Sequence, residues 1–163
     1  MNPELVTLQA RVLGAQDIIA GRNRIEKPDH LTEWNNVYRS ELLSAVNLEK
    51  WAFVYPNNFY NEVSAFYNLM EQVARPLGIR MNPCKWVEIP DTRVNTYMQN
   101  IRELAKMKPN FIVVATPTEK GEHYAAIKKF LCCECPIPSH IITHSKVRFD
   151  PFFLFFSMKA LDV

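Results

Sequence analysis

Residues 111–143 read FIVVATPTEKGEHYAAIKKFLCCECPIPSHIIT, and their order of elements decides the fold. The run 111–115 is continuously apolar and rich in β-branched residues, which is typical of a strand covered on both faces. A polar loop follows over Thr116 to Glu122, and then a helix is predicted over 123–133. A proline-rich turn leads into a second strand at 140–143. This order predicts a parallel β-α-β unit.

The same alternation extends upstream. The short apolar runs WAFVY (51–55) and KWVEI (85–89) predict two more strands. Each is followed by apolar residues at helical spacing, namely Phe59, Val63, Phe66, Met70 and Val73, then Val94, Tyr97, Met98, Ile101 and Leu104. Asp150 and Pro151 predict the start of a last helix that runs through Lys159.

The predicted fold class is therefore α/β: a Rossmann-like, mostly parallel four-stranded sheet with helices on both faces. Ligands of such folds bind beyond the carboxyl ends of the strands. We therefore expect a site in the loops that follow residues 115 and 143. Residues 1–46 lack this alternation and are predicted to form a linker or N-terminal arm that packs on the domain, which spans 47–163.

The charge balance limits the kind of partner. With 19 basic and 17 acidic residues, the net charge is only +2, so contact with a nucleic acid should be local, as at a chain end. No secretory signal and no apolar run of about 20 residues is visible, so no membrane partner is expected. The crowding of Cys132, Cys133 and Cys135 favours a reducing compartment. We expect a cytoplasmic protein, with the nucleus or RNA granules as alternatives.

Tyr124 and Lys128 are the candidate binding residues of the predicted third helix. They are four residues apart and so share one helix face. A ring can stack on a base while an ammonium contacts a phosphate, although tyrosine often packs half-buried and lysine is usually solvated. His140 and Lys159 could join Lys128 in one anion pocket, and His140 would donate more strongly when protonated.

Other chemistries find less support in the chain. Its four glycines include no G-x-G-x-x-G pattern, so a dinucleotide cofactor is not expected. Cys132, Cys133 and Cys135 lack the spacing of zinc ligands and are interpreted as small apolar residues that fill a helix end. No paired carboxylates or activated nucleophile is visible. We therefore predict no catalytic residue and no metal.

The run HYAAIKKFLCCECPIPSHIITHSKV resembles the MID domain of Argonaute proteins, specifically of the PIWI subclade. That subclade has a Y-x-x-I-K-K-x-L-C helix, a C-P-x-P-S-Q turn and a strand. Upstream, KWAFVY, ARPLGIRM and KPNFIVVATP are similar to further MID segments. The pieces RVLGAQDIIAG and LTEWNNVYRSELLSAVNLEKW resemble the linker that precedes the domain.

The resemblance implies that the chain binds the 5′-phosphorylated first nucleotide of a small, piRNA-type guide RNA in RNA-mediated silencing. It implies a stacking role for Tyr124 and phosphate contacts from Lys128, His140 and Lys159. It also implies that a loop faces the first base and biases its identity; that loop comprises Thr116, Pro117, Thr118, Glu119, Lys120, Gly121 and Glu122. No cofactor is implied, apart from a magnesium ion that could join the phosphate in a full-length protein.

A PIWI nuclease domain would be a partner if the chain belongs to a longer one. Because the chain stops where that domain would begin, we expect that it does not cleave RNA. Two departures from the family keep an alternative open: His140 replaces the glutamine, and FDPFFLFF (149–156) is unusually apolar. The alternative is a divergent MID-like scaffold that has lost RNA binding and contacts a protein through Phe152–Phe156. A third reading is an unrelated nucleotide-binding enzyme.

Overall fold

The computed structural model describes residues 7–28, 41–117 and 121–144. Lys159, Phe152–Phe156 and the predicted last helix lie outside these residues. The chain divides into two compact units, Met1–Ser44 and Ala45–Val163. The domain boundary at residues 46 and 47 stays a prediction.

The first unit contains a two-stranded antiparallel ribbon. Strand β1 (Ile18–Ile19) pairs with β2 (Ile25–Glu26) across a 3₁₀ turn at Gly21–Asn23. The Gly21 N–H donates to the Glu41 carbonyl at 2.7 Å, and a Cβ on Gly21 would lie 2.7 Å from the same oxygen. Only glycine therefore allows this approach of the two backbones.

The second unit alternates strands and helices from Trp51 onward. Strand β3 (Trp51–Pro56) is followed by α1 (Tyr60–Ala74), β4 (Lys85–Ile89) and α2 (Val94–Ala105). Strand β5 (Phe111–Thr116) then leads into α3 (Gly121–Lys129), a π-helical turn at Phe130–Glu134 and β6 (Ser139–Thr143).

The last four strands form one parallel sheet in the order β4-β3-β5-β6. Val54 lies at the centre, in register with Val87 of β4 and Val114 of β5. The β5 and β6 registers place Val113 beside His140 and Thr116 beside Thr143. The predicted α/β class with a parallel four-stranded sheet is confirmed.

Two apolar cores cover the two faces of this sheet, because successive strand side chains point to opposite faces. Phe53, Phe111 and Val113 pack with Val63, Phe66 and Met70 of α1. Val54, Ile112 and Val114 pack with the other helices, through residues that include Tyr97, Ile101, Leu104, Ile127 and Leu131. Strands β3 and β5 are buried along their whole length, as their continuous apolar sequences predict. Within the described residues, no helix has the length and apolar character needed to cross a membrane.

Candidate functional site

Helix α3 presents Tyr124 from its first turn. The helix starts at Gly121, two residues earlier than the sequence predicts, and the Tyr124 side chain is 56% exposed. Tyr124 and Lys128 are separated by about one helical turn and share a face. The ring is thus free to stack on a planar group. The alternative that Tyr124 packs half-buried against the domain is wrong.

The loop predicted over Thr116 to Glu122 is shorter in the structure. Thr116 is the last residue of β5, where it is buried and its hydroxyl donates to the Ile142 carbonyl at 3.3 Å. Gly121 and Glu122 belong to the first turn of α3. Pro117 is the one described residue outside both elements, since Thr118, Glu119 and Lys120 lie outside the described residues.

Lys128 reaches from α3 to the start of β6. Its ammonium donates to the Ser139 carbonyl at 2.6 Å and to the Ser139 hydroxyl at 3.1 Å. The lysine is half-buried, and this burial lowers its pKa, against an opposing effect of Cys132. The alternative that Lys128 is an ordinary solvated lysine is therefore wrong, because two hydrogen bonds to Ser139 hold its ammonium in place.

His140 directly follows Ser139, the residue that anchors the Lys128 ammonium by two hydrogen bonds. Burial, together with the smaller effect of the neighbouring Lys128 charge, lowers the pKa of His140 to about 4. Among the described hydrogen bonds none joins Lys128 to His140. His140 is paired with Val113, a residue of the core on the α1 side, whereas Ser139 faces Lys128 of α3. His140 is therefore a neutral group at the edge strand, beside Lys128 rather than bonded to it.

The structure places Lys128 and His140 at the beginning of β6 rather than beyond the carboxyl ends of the strands. The sequence predicts a site in the loops after residues 115 and 143, and for Lys128 and His140 that prediction is wrong. Tyr124 lies close in the chain to the carboxyl end of β5, but α3 then runs back along the sheet to the start of β6. The candidate site therefore extends along the outer strand, and Lys159 lies outside the described residues.

The helix ends in a wide turn that exposes two cysteines. The Cys135 N–H donates to the Phe130 carbonyl at 2.8 Å, across the five residues of a π turn. Phe130 and Leu131 are buried, while Cys132 and Cys133 are exposed. Our interpretation that the cysteines fill a helix end is wrong for these two. In the described part of the chain, no three His, Cys, Asp or Glu side chains are grouped to hold a metal ion.

Helix α3 is fixed at its start by a histidine that the sequence analysis did not single out. The His123 Nε2–H donates to the Thr92 carbonyl at 2.7 Å, and the ring packs edge-on against Tyr97 at 5.4 Å. The Tyr97 hydroxyl in turn donates to the Ala115 carbonyl at 2.7 Å. These contacts tie the start of α3 to the end of β5. The helical spacing of Tyr97 could be read from the sequence, but its contact with His123 could not.

Magnesium favours oxygen ligands, chiefly carboxylates, carbonyls and water. The described residues proposed for the site supply a phenol, an ammonium and an imidazole. These groups do not form a magnesium site by themselves, so no step of the function is assigned to that ion.

Comparison with known proteins identifies the chain's relatives. No protein-family model matches the chain. It is 30% identical to the protein aubergine of Drosophila melanogaster over 146 residues, which cover 88% of this chain. It is 27% identical to Piwi-like protein 1 of Danio rerio over 140 residues, which cover 85%. The chain is a homologue of the PIWI-clade Argonaute proteins.

A solved structure agrees with this relationship at the level of the fold. The crystal structure of Drosophila Piwi matches 93% of this PIWI-clade homologue with a TM-score of 0.83, at 21% sequence identity. The sequence relatives confirm the resemblance drawn from the run at 123–147, and the solved structure agrees with it in fold.

The chain spans only about one sixth of the length of its curated relatives, 17% of aubergine and 16% of Piwi-like protein 1. What those whole proteins do is therefore carried to this chain only as a proposal. The expectation that the chain does not cleave RNA stays a prediction.

Proposed function

We propose that this PIWI-clade homologue binds the 5′-phosphorylated first nucleotide of a small guide RNA, of piRNA type, in RNA-mediated silencing. One observation carries the proposal: the anchored ammonium of Lys128 lies on the same face of α3 as the exposed ring of Tyr124. A terminal nucleotide has a phosphate and a base, and this pair of side chains suits both. The homology to PIWI-clade Argonautes supports a small RNA as the ligand.

Lys128 is suited to an anion because its ammonium is only partly used. An ammonium has three N–H donors, and two of them are directed at the Ser139 carbonyl and hydroxyl. The third remains for a phosphate oxygen. A terminal phosphate has a charge of about −1.5 to −2 near neutral pH, and partial burial strengthens its attraction to the ammonium.

His140 contributes no positive charge at neutral pH, because its pKa is lowered to about 4. The charge of the described site rests on Lys128, and we propose that Lys159 adds a second cation. With so few contacts, the affinity for a lone nucleotide should be weak, in the range of about 0.1–1 mM. The segment predicted as a loop, Thr116 to Glu122, is proposed to face the first base.

The test is a titration of the chain with uridine 5′-monophosphate and, separately, with uridine. Chemical shifts of Tyr124 should move with both ligands, while the apparent affinity for the phosphorylated ligand should be about tenfold higher. Lys128→Ala should abolish the difference between the two ligands. Tyr124→Ala should weaken binding of both, because the stacking surface is lost.

Lys129 supplies the matched control. It follows Lys128 on the same helix but is exposed on a different side, so Lys129→Ala removes an equal charge without touching the anchor. This variant should keep the preference for the phosphorylated ligand. Equal responses to both ligands in the unaltered chain would refute the phosphate contact.

A divergent protein-binding scaffold is the second candidate, and His140 favours it. A half-buried neutral imidazole at the family's glutamine position offers one N–H donor where an amide offers two. Absence of any nucleotide response, together with oligomerisation that Phe153→Asp or Phe156→Asp abolishes, would support the scaffold over the RNA-binding function.

A further inference from the structure

A second concave site lies near the amino ends of β3 and β4, on the β4 side of the sheet. The cavity has a volume of about 310 Å³, enough for one large apolar side chain with its neighbouring backbone. Its apolar lining consists of Trp51, Ala52, Pro83, Leu104, Met107 and Pro109. It shares no residue with the site at the start of β6.

The walls of this amino-edge cavity are held by hydrogen bonds between three loops. The Trp51 indole N–H donates to the Asn82 carbonyl at 2.7 Å, and the Asn110 N–H donates to the Lys50 carbonyl at 2.7 Å. The Asn110 side-chain amide also donates to the Asn47 carbonyl at 3.3 Å. Because these bonds fix the loops, a ligand would meet a preformed cavity and bind with little ordering cost.

The loops around the cavity are strongly basic. The segments 47–50, 79–85 and 106–110 contain one acidic residue, Glu49, and five exposed basic residues, Lys50, Arg80, Lys85, Lys106 and Lys108. Five basic residues against one acidic residue give these segments a net charge of +4, compared with +2 for the whole chain. An acidic ligand is therefore favoured.

Two of these lysines, Lys50 and Lys85, line the cavity itself, together with one acidic residue, Glu49. The Lys85 ammonium donates to the Met107 thioether at 2.9 Å, which is a weak acceptor. Lys50 also lines the cavity, and neither lysine belongs to an ion pair in the part of the chain that the structure describes. Lys106 differs, since it is paired with Glu103 at 2.6 Å and does not line the cavity.

We propose that the amino-edge cavity binds an acidic peptide segment of a separate protein partner, with an apolar side chain inserted and flanking carboxylates on Lys50 and Lys85. A peptide fits better than RNA because the lining offers no open ring for base stacking: Trp51, the aromatic residue in it, is 2% exposed. The lining presents aliphatic and proline surface, and its two lysines outnumber its one glutamate. A leucine between two glutamates would therefore match it in shape and charge.

The probe is a blocked tripeptide of glutamate, leucine and glutamate, titrated into the full 163-residue chain. The Trp51 indole and the Leu104 methyl signals report binding. A glutamine–leucine–glutamine peptide should bind several-fold more weakly, and so should a glutamate–serine–glutamate peptide. Lys85→Ala or Lys50→Ala should each weaken binding about two- to fivefold, as loss of one partly exposed ion pair predicts.

Lys106→Ala is the matched control and should leave binding unchanged, since it removes an equal charge outside the lining. Met107→Glu should abolish binding, because its new carboxylate would neutralise Lys85 and occupy the entrance. Met107 is 55% exposed, so this variant should keep the fold.

Three results would each overturn the proposal. One is an equal response to the glutamate and glutamine peptides. Another is stronger binding at the same signals by an unphosphorylated hexauridine than by the peptide. The last is a concentration-dependent shift of these signals without any ligand, which would make a second copy of the chain the occupant.

Discussion

At the scale of single residues, His140 shows how the surroundings of a side chain change its chemistry. Its sequence position suggests a group that gains charge in mild acid, whereas burial and Lys128 lower its pKa to about 4. At neutral pH it is uncharged, as the family's glutamine would be. The substitution therefore changes the number and direction of donors, while the charge of the site stays the same.

His140 should make the stability of the chain depend on pH. Its pKa is about 4 in the folded state and about 6.5 in an unfolded chain, so the unfolded state binds more protons between these values. The free energy of unfolding should therefore fall as the pH drops from about 6.5 to about 4, by about 1–3 kcal/mol. Urea unfolding monitored by tryptophan fluorescence across this range measures the loss.

His140→Gln is the control for this prediction, because glutamine does not titrate. Carboxylates also titrate in part of the range, so the informative quantity is the difference between the two curves. The variant should lose less stability than the unaltered chain as the solution is acidified. Parallel curves for both proteins would contradict the role given to His140.

The residues of the candidate site were predictable to different extents. The spacing of Tyr124 and Lys128 on one helix could be read from the sequence, because i and i+4 positions share a face. The hydrogen bonds from Lys128 to Ser139 could not be read from the sequence, since they depend on how α3 packs against β6. The neutral state of His140 follows from burial, and the His123 contact with Thr92 comes from a separate loop.

At the scale of elements, short apolar runs predict the strand bounds well, both for the buried strands β3 and β5 and for the largely exposed edge strand β4. The prediction for β4 at 85–89 matches the structure, and β3 and β5 are each one residue longer than predicted. The end of α3 was missed. The chain forms a π turn at Phe130–Glu134, where Phe130 and Leu131 are buried. Such turns are rare, and the apolar spacing of a helix does not predict them.

Helix α2 is linked to β5 by a buried hydrogen bond that can be tested. Tyr97 is fully buried, and its hydroxyl donates to the Ala115 carbonyl at 2.7 Å. Tyr97→Phe should lower the free energy of unfolding by about 1–2 kcal/mol, because the carbonyl loses its partner. Tyr60→Phe is the control: Tyr60 is 55% exposed and the change should be near zero. Equal effects in denaturant unfolding would argue against a contribution from this bond.

At the scale of the whole molecule, the central sheet joins two cores into one unit. The β3 residues Phe53 and Val54 face opposite helical layers and are both fully buried. The continuous apolar runs made this two-faced burial predictable. The strand order β4-β3-β5-β6 could not be predicted, because several strand orders satisfy the same alternation of strands and helices.

Phe53 tests the dependence of the unit on its central strand. Its ring packs edge-on against Phe66 at 6.2 Å and is fully buried. Phe53→Ala should lower the free energy of unfolding by about 3–5 kcal/mol through lost burial and a new cavity. Met107→Ala, at a 55% exposed position, should cost less than about 0.5 kcal/mol. A loss below about 1 kcal/mol for Phe53→Ala would show that packing around Phe53 contributes less to the free energy of unfolding than its burial indicates.

The placement of β3 between β4 and β5 also has a consequence for the order of folding. Val54 must meet both Val87 and Val114, and every strand pair of this sheet needs a crossover rather than a hairpin. Such long sequence separations slow folding, since loop-closure entropy is lost before the contacts form. A ribosome would have to extend the chain beyond Thr116 before β3 could be covered on both edges. Until then its strand edge would be open to chaperones and to other nascent chains.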